Sequence, residues 1–181
     1  MIVLIPMMNG GLGTVLVRPG AVKDVEAVMA LVRRVVPLMR TTGNLQWDDN
    51  YPNASVFNRD VELGYLWLAK IEDQLAGIAA ITTDQEPEYA QVGWDISESA
   101  VVVHRLAVDR EFRGQGVAAA LMAQAEAVAR ARGIAVLRVD TNSQNEATQK
   151  LFPKLGYIFA GEIGLGFRPG LRFLCYEKRL P

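Results

Sequence analysis

The chain has 181 residues, of which 50% are hydrophobic, and its formal net charge is −1. This length and composition favour one domain with a sizeable core. The near-neutral charge argues against a nucleic-acid-binding protein, which would favour a basic face. A single cysteine, Cys175, excludes an internal disulfide and favours a reducing, cytoplasmic location. No apolar run approaches the length of a membrane span, so no membrane partner is expected.

The first half of the chain predicts strands and helices in alternation. Residues 1–13 lack the basic leader and cleavage site of a signal peptide, and we interpret them as a loose N-terminal extension. The spacing of apolar residues and the turn residues then define the elements. These are a strand over 14–18, a helix over 22–39, a helix over 53–63 capped by Asn53, and a hairpin over 65–71 and 75–82.

The second half begins with an irregular acidic segment, residues 83–99, and continues with further strands and helices. The predicted elements are a strand over 101–108, a helix over 117–132, a strand over 135–139, a helix over 144–151, and strands over 157–163 and 172–178. No internal repeat or linker interrupts this order. The sequence therefore predicts a single α/β domain over residues 14–181.

A basic glycine turn connects the strand over 101–108 to the next helix. It has the sequence Arg113-Gly114-Gln115-Gly116 and leads into Val117 and Ala118. Glycines let the backbone approach a phosphate, and the first N–H groups of the helix have no partner within the helix. The turn lacks the Gly-Lys-Ser/Thr ending of a nucleotide P-loop and the three glycines of a dinucleotide fingerprint. It predicts a site for a phosphate-bearing cofactor.

Two motifs, one strand apart, resemble those of the GNAT superfamily of acyl-CoA N-acyltransferases. Residues 113–118 match the family's cofactor motif, Arg-x-x-Gly-x-Ala. Residues 145–157 resemble its second segment, in which an asparagine precedes an apolar residue, a tyrosine, a lysine and a glycine–aromatic pair. The resemblance covers roughly residues 14–178. It implies a GNAT-like domain with a mixed twisted sheet of about six to seven strands, flanked by about four helices.

The resemblance also implies acetyl-CoA as the co-substrate, with no metal and no covalent enzyme intermediate. The pyrophosphate would lie on backbone N–H groups of the glycine turn. The pantetheine arm would pair along the strand near Leu106, where a backbone N–H would face the thioester oxygen. The cofactor-binding candidates are Leu106, Ala107, Val108, Arg113, Gly114, Gln115, Gly116, Val117, Ala118, Asn145, Phe152 and Lys154.

Acyl transfer to an amine requires a group that accepts the amine's proton. His104 is the only histidine, and histidine as a residue type changes its charge near neutral pH. Strand alternation predicts that His104, Leu106 and Val108 share one face; alternatively, His104 is a buried histidine bonded to backbone. Asp140 and Glu162, near the ends of strands expected to be adjacent, are the next candidates, although each could instead pair with an arginine or cap a turn.

Phe152 departs from the family pattern, which commonly places a tyrosine there to protonate the leaving thiolate. Phe152 has no proton to donate, so Tyr157 or water would act, or the thiolate would leave unassisted. Pro153 follows, and a proline there removes a helix hydrogen bond, so the helix is expected to kink or end early. This departure keeps open a catalytically silent acyl-CoA sensor as the alternative function.

Three aromatic residues in loop-like segments are candidates for contacting the substrate: Trp47, Tyr51 and Trp94. The acidic segment 83–99 contains no lysine or arginine, so it would attract a cationic amine if it borders the acceptor site. The sequence thus predicts an N-acetyltransferase acting on a primary amine of a small acceptor and leaves a homodimer open. A nucleotide-binding protein would fit the glycine turn alone but not residues 145–157.

Overall fold

The structure, a computed structural model, describes residues 2–4 and 14–181. In this part of the chain, the strands are β1 (Ile2–Leu4), β2 (Thr14–Pro19), β3 (Leu66–Ile71), β4 (Gln74–Thr82), β5 (Ala100–Val108), β6 (Val136–Asn142), β7 (Ile158–Ile163) and β8 (Phe173–Arg179). The helices are α1 (Val25–Thr41), α2 (Ala54–Glu62), α3 (Val117–Ala131) and α4 (Glu146–Lys154). None of these helices is long and apolar enough to cross a membrane.

The described strands form one mixed sheet in the order β1-β2-β3-β4-β5-β6-β8-β7. Only β5 and β6 pair in parallel. Seven strands have six or more residues and four α-helices flank them, which confirms the predicted fold class. The short strand β1 lies within the predicted N-terminal extension and pairs with β2. The rest of that extension lies outside the described residues.

Helices cover both faces of the sheet. Helices α3 and α4 pack on one face, where Val101 and Val103 of β5 meet Leu121 and Phe152. Helices α1 and α2 pack on the other face. Apolar residues of α1 recur at helical spacing and are buried there: Val25, Val28, Leu31, Val32, Val35 and Val36. Burial of these two apolar faces stabilises the sheet between them.

Strands β5 and β6 pair over only part of their length. Their parallel register runs from Ala100↔Val136 to Val103↔Val139. Beyond that point β5 continues to Val108 and β6 continues to Asn142 without further pairing to each other. The sheet therefore opens between the two strands, and backbone groups of β5 after Val103 pair with no described strand on that side.

A β-bulge lies in β5 at the opening. His104 pairs with Ala80 and Ala107 pairs with Ile78, so Arg105 and Leu106 together oppose one residue of β4. Arg105 has a φ of 52°, in the left-handed region that is uncommon for residues other than glycine.

The prediction that His104, Leu106 and Val108 share one face of the sheet is wrong, because the bulge lies between His104 and Leu106. Leu106 and Val108 pack against the core beneath α3. His104 lies on the opposite face, the face of Val102 and of α1 and α2. The physical reason is that one extra residue in a strand reverses the alternation of the side chains that follow it.

The sequence predicted that helix α4 would kink or end early at Pro153. Instead, the helix continues through Phe152 to Lys154. Pro153 is its penultimate residue, so the missing N–H removes only one hydrogen bond at the end of the helix. The Leu155 N–H donates to the Leu151 carbonyl at 3.2 Å, which closes the final turn. Phe152 therefore keeps a helical position and points into the protein.

Candidate functional site

A cavity of about 220 Å³ occupies the opening between β5 and β6. It passes from one face of the sheet to the other. Asn145, Thr148 and Phe152 of the α4 region line it on one side, whereas residues from the loop over 42–53 and from segment 83–99 line it on the α1 side. Among the predicted site residues, those that line the cavity are Trp47, Tyr51, His104, Leu106, Asp140, Asn145 and Phe152.

His104 is half-buried in the cavity wall. Its Nε2 atom lies 3.3 Å from the carbonyl oxygen of Asp84. A carbonyl oxygen only accepts hydrogen bonds, so the contact requires the proton to be on Nε2. In that tautomer Nδ1 carries the lone pair and is the nitrogen that can accept a proton. The backbone contact considered for His104 from the sequence is present, but the imidazole remains accessible from the cavity.

Asp140 follows the paired part of β6 and faces the cavity. Its carboxylate accepts a 2.6 Å hydrogen bond from the Tyr89 hydroxyl. Burial raises the pKa of Tyr89 well above its ordinary value, and the Asp140 carboxylate adds to the rise, so the phenol stays protonated and donates. The bond fixes Asp140 and attaches segment 83–99 to β6.

Glu86 was not singled out from the sequence, yet it lines the cavity with His104 and Asp140. Burial raises the pKa of Glu86; His104 opposes that rise, and the Asp140 carboxylate adds to it. Asp84 also lines the cavity. The signal in the sequence was the acidic composition of segment 83–99, but composition did not distinguish these two residues from the others.

Two arginines border the cavity, and each is already paired. Arg105 makes a bidentate ion pair with Asp60 of α2 at 2.7 and 2.8 Å. Arg168 donates to Asp48 at 2.8 Å and stacks on the Tyr51 ring, with 4.9 Å between its guanidinium carbon and the ring centroid. Both cations are thus compensated, whereas the cavity carboxylates Asp84, Glu86 and Asp140 form no ion pair with an arginine or lysine of the described residues.

The structure does not bring Trp94 or Glu162 to the cavity. Trp94 packs edge-on against Tyr89, with ring centroids 5.1 Å apart, and lies over the guanidinium of Arg138 at 4.8 Å. Glu162 lies on β7 and pairs with Arg172 at the surface. The sequence predicted that the strands of Asp140 and Glu162 are adjacent. This is wrong, because β8 lies between β6 and β7.

Phe152 forms part of the cavity wall and is almost fully buried. Its ring packs against Tyr176, with centroids 5.3 Å apart, and against Tyr157 at 5.9 Å. Tyr157, considered as a replacement proton donor, lies in the core and outside the cavity lining. Burial raises the pKa of Tyr157, with a further contribution from Glu126, so this position does not favour it as the acid.

The glycine turn lies at the N-terminus of α3. Gly114 and Gly116 both have a φ of 78°, and Gly116 is the N-cap residue. No described atom lies within 4 Å of the position that a Cβ on Gly114 would occupy. The N-cap residue of α3 makes no side-chain hydrogen bond to the first N–H groups of the helix. Arg113 is exposed beside them, and Lys154 is exposed at the end of α4.

The other cofactor candidates take different positions. Asn145 lines the cavity but is also the N-cap of α4, where its side chain accepts from the Thr148 N–H at 3.5 Å. Ala107 is buried in the core beneath α1, so only its backbone is available. Val108 packs beneath α3. Of these three residues, only Asn145 lines the cavity.

Comparisons with known proteins agree on one family. The model described as "Acetyltransferase (GNAT) family" matches residues 32–157. The uncharacterized N-acetyltransferase YesJ of Bacillus subtilis (strain 168) is 26% identical over 152 residues, covering 82% of this chain and 84% of YesJ. A GNAT-family acetyltransferase structure from Streptococcus agalactiae 2603 has a TM-score of 0.76 at 26% identity, covering 92% of this chain and 96% of the other. yncA from Salmonella typhimurium, solved with its cofactor acetyl-CoA, has a TM-score of 0.67 at 18% identity, with coverage of 92% and 94%.

Proposed function

The chain belongs to the GNAT family of acetyl-CoA-dependent acetyltransferases, and on that premise we propose that it acetylates a primary amine of a small cationic acceptor by direct attack in a ternary complex. The observation that carries the proposal is the cavity that passes through the sheet between β5 and β6. It joins the face of α3, which carries the glycine turn, to the face where the imidazole and the carboxylates lie.

The residues present fit the cofactor. The open space at Gly114 and the uncapped N–H groups of α3 suit a pyrophosphate, with Arg113 adding positive charge. Backbone groups of β5 from Leu106 to Val108 have no partner on the β6 side and would pair with the extended arm, and the Leu106 N–H would donate to the thioester oxygen. Bound there, acetyl-CoA supplies the acetyl group as a thioester.

The acceptor would approach from the opposite face. Glu86 and Asp84 would hold its ammonium group between the aromatic walls of Trp47 and Tyr51. The Nδ1 atom of His104 would then take the proton that the ammonium must lose before the nitrogen attacks. Asp140 is the second candidate for this role, since it lines the same cavity but is already engaged by Tyr89.

The cavity wall at Phe152 supplies no proton to the leaving thiolate. Thiols ionise with an ordinary pKa of about 8.5, so a thiolate is a tolerable leaving group near neutral pH. We therefore propose that the thiolate leaves without help from residue 152 or Tyr157 and takes its proton from solvent.

Calorimetric titration with acetyl-CoA, followed by an assay of free CoA thiol with an amine panel, tests the proposal. The blocking variant is Gly114→Trp, and the matched control is Gly133→Trp. Gly133 follows the other end of α3, has a φ of 66° and also has no described atom within 4 Å of its Cβ position. Both variants place a tryptophan at a positive φ, but only Gly114→Trp would fill the proposed pyrophosphate site.

We expect wild type and Gly133→Trp to bind acetyl-CoA and Gly114→Trp to lose binding. CoA release should require both an amine and an intact His104. Equal binding by all three proteins would contradict the cradle assignment. Tight binding without CoA release on any amine would contradict acetyl transfer and support a silent acyl-CoA binder instead.

A further inference from the structure

Arg138 on β6 is the largest fully buried side chain that the structure describes, with 1% of its side chain exposed. Its guanidinium donates to Glu177 at 3.0 Å, to Glu98 at 3.3 Å and to the Asp95 carbonyl at 3.0 Å. Arg138 also donates to the side-chain oxygen of Gln85. Three of these four partners belong to segment 83–99, so Arg138 fastens both ends of that segment to β6.

Gln85 is the part of this network nearest to the cavity. Its oxygen accepts from Arg138, while its amide nitrogen donates to the carbonyls of Ile96 at 3.0 Å and Glu98 at 2.8 Å. The whole amide group is therefore engaged. Gln85 does not line the cavity, although its two neighbours in the chain, Asp84 and Glu86, do.

The peptide unit between residues 84 and 85 is held from both sides. The Asp84 N–H donates to the Thr82 hydroxyl at 2.6 Å, and the Gln85 side chain is held by Arg138. The carbonyl of this peptide unit is the group that lies 3.3 Å from Nε2 of His104. The network around Arg138 is therefore connected to the His104 imidazole through Gln85 and the adjoining Asp84 carbonyl.

We propose that Gln85 and Arg138 are positioning residues that hold the Asp84 carbonyl against His104 and so select the tautomer with the proton on Nε2. This leaves Nδ1 free to accept the proton of the acceptor amine. The inference rests on the proposed role of His104 in the reaction. Neither Gln85 nor Arg138 touches the reacting atoms, because their effect passes through the Asp84 peptide unit.

The single histidine of the chain makes the test direct, because every imidazole resonance belongs to His104. Nitrogen-15 NMR of the neutral imidazole reports the ratio of the two tautomers. The wild type is compared with a short histidine peptide and with Gln85→Met, which keeps the length of the side chain but removes its hydrogen bonds. Gln91→Met is the matched control, since Gln91 lies in the same segment and is exposed. Its side-chain amide makes only long hydrogen bonds, of 3.5 Å each, with the backbone of Gly164.

We expect the wild type and Gln91→Met to show a larger excess of the Nε2–H tautomer than the peptide. Gln85→Met should shift the ratio toward the peptide value by a factor of about three or more, and Gln85→Glu, which still accepts from Arg138, should recover part of the shift. A peptide-like ratio in the wild type, or an unchanged ratio in a folded Gln85→Met, overturns the proposal.

Arg138→Lys gives a second variant in which the same shift is expected, in case Gln85→Met does not fold. The NMR readout needs neither cofactor nor acceptor. A failure of acetyl transfer would appear only in the CoA-release assay, so it is distinguishable from a failure of this inference.

Discussion

The charges of individual residues around the cavity do not balance. Asp84, Glu86 and Asp140 line it as carboxylates, whereas its arginines are each paired with an aspartate of their own. A second positive charge on the acceptor would therefore be stabilised, and a negative charge would be repelled. We therefore expect the proposed acceptor to be a compact amine with more than one cationic group.

Three amines of similar length test this charge preference: 1,4-diaminobutane, n-butylamine and 4-aminobutyrate. We expect kcat/KM to be highest for the diamine, exceeding that of 4-aminobutyrate by about tenfold or more because of the opposite charges. Glu86→Gln should reduce this ratio, and Glu111→Gln, an exposed glutamate outside the cavity lining, should leave it unchanged. A preference for 4-aminobutyrate would contradict the assignment of the acceptor class.

The raised pKa of Glu86 predicts that KM for the diamine depends on pH. Because burial raises the pKa of Glu86, its charge is lost on acidification earlier than that of an ordinary glutamate. We expect KM for the diamine to rise as pH falls through this raised pKa, and the rise to be weaker in Glu86→Gln. Steady-state kinetics over a pH series measures this, and identical pH profiles for the two proteins would rule out Glu86 as the group that binds the acceptor.

Phe152→Tyr returns the hydroxyl that the family commonly has at this position. If the thiolate leaves unassisted, kcat should change by less than about threefold, since no proton transfer at residue 152 limits the rate. A rise of ~100-fold, the usual size of a general-acid contribution, would show that the missing hydroxyl limits turnover. Steady-state kinetics with the best amine of the panel distinguishes the two outcomes.

At the scale of elements, the bulge in β5 depends on helix α2. Arg105 holds the left-handed conformation at the bulge, and its guanidinium is fixed by Asp60, of which 5% is exposed. The bulge in turn directs Leu106 to the α3 face of the sheet and leaves His104 on the α1 face. The ion pair thus connects the bulged residue of β5 to α2.

Asp60→Asn removes the charge that compensates the buried Arg105. We expect the free energy of unfolding to fall by about 3 kcal/mol, because an uncompensated buried charge remains. Urea unfolding measures the loss. Glu62→Gln on the same helix is the control: its pair with Arg59 is exposed on both sides, and we expect no measurable effect. Equal effects in the two variants would mean that the Arg105–Asp60 pair does not stabilise the bulge.

At the scale of the whole molecule, an ion pair connects the sheet to the first helix. Arg18 of β2 holds Asp24, just before α1, at 2.7 and 2.8 Å, and this contact lowers the pKa of Asp24. Because this pKa is lower in the folded than in the unfolded state, the ion pair stabilises the folded protein at pH values above the unfolded-state pKa of about 3.9. The stabilisation is lost as the pH falls through the folded-state pKa.

We therefore expect Asp24→Asn to be less stable than the wild type at pH 7, with the difference disappearing once pH lies below the lowered pKa of Asp24. Urea unfolding at a series of pH values checks this. Glu146→Gln serves as the control because its pair with Lys150 is exposed. A difference between Asp24→Asn and wild type that persists in strong acid would have a cause other than this charge.

Much of the fold was predictable because its signals are local. Helical spacing in α1, the Asn53 cap of α2 and the hairpin of β3 and β4 each depend on residues close together in the chain. The glycine turn before α3 is equally local, since φ angles of 78° are the property of the glycines themselves. The end of α4 was misjudged because Pro153 falls at a position where the helix was about to terminate.

The sequence by itself therefore determined the fold class, the family and the glycine turn at the start of α3. Only the tertiary structure decided which acidic and aromatic residues meet in the cavity: it placed Glu86 there, left out Trp94 and Glu162, and moved His104 to the face opposite Leu106. The physical reason is distance along the chain. Contacts such as Tyr89–Asp140 and Arg105–Asp60 join residues 51 and 45 positions apart, and they depend on strand order, register and one bulge rather than on any local pattern.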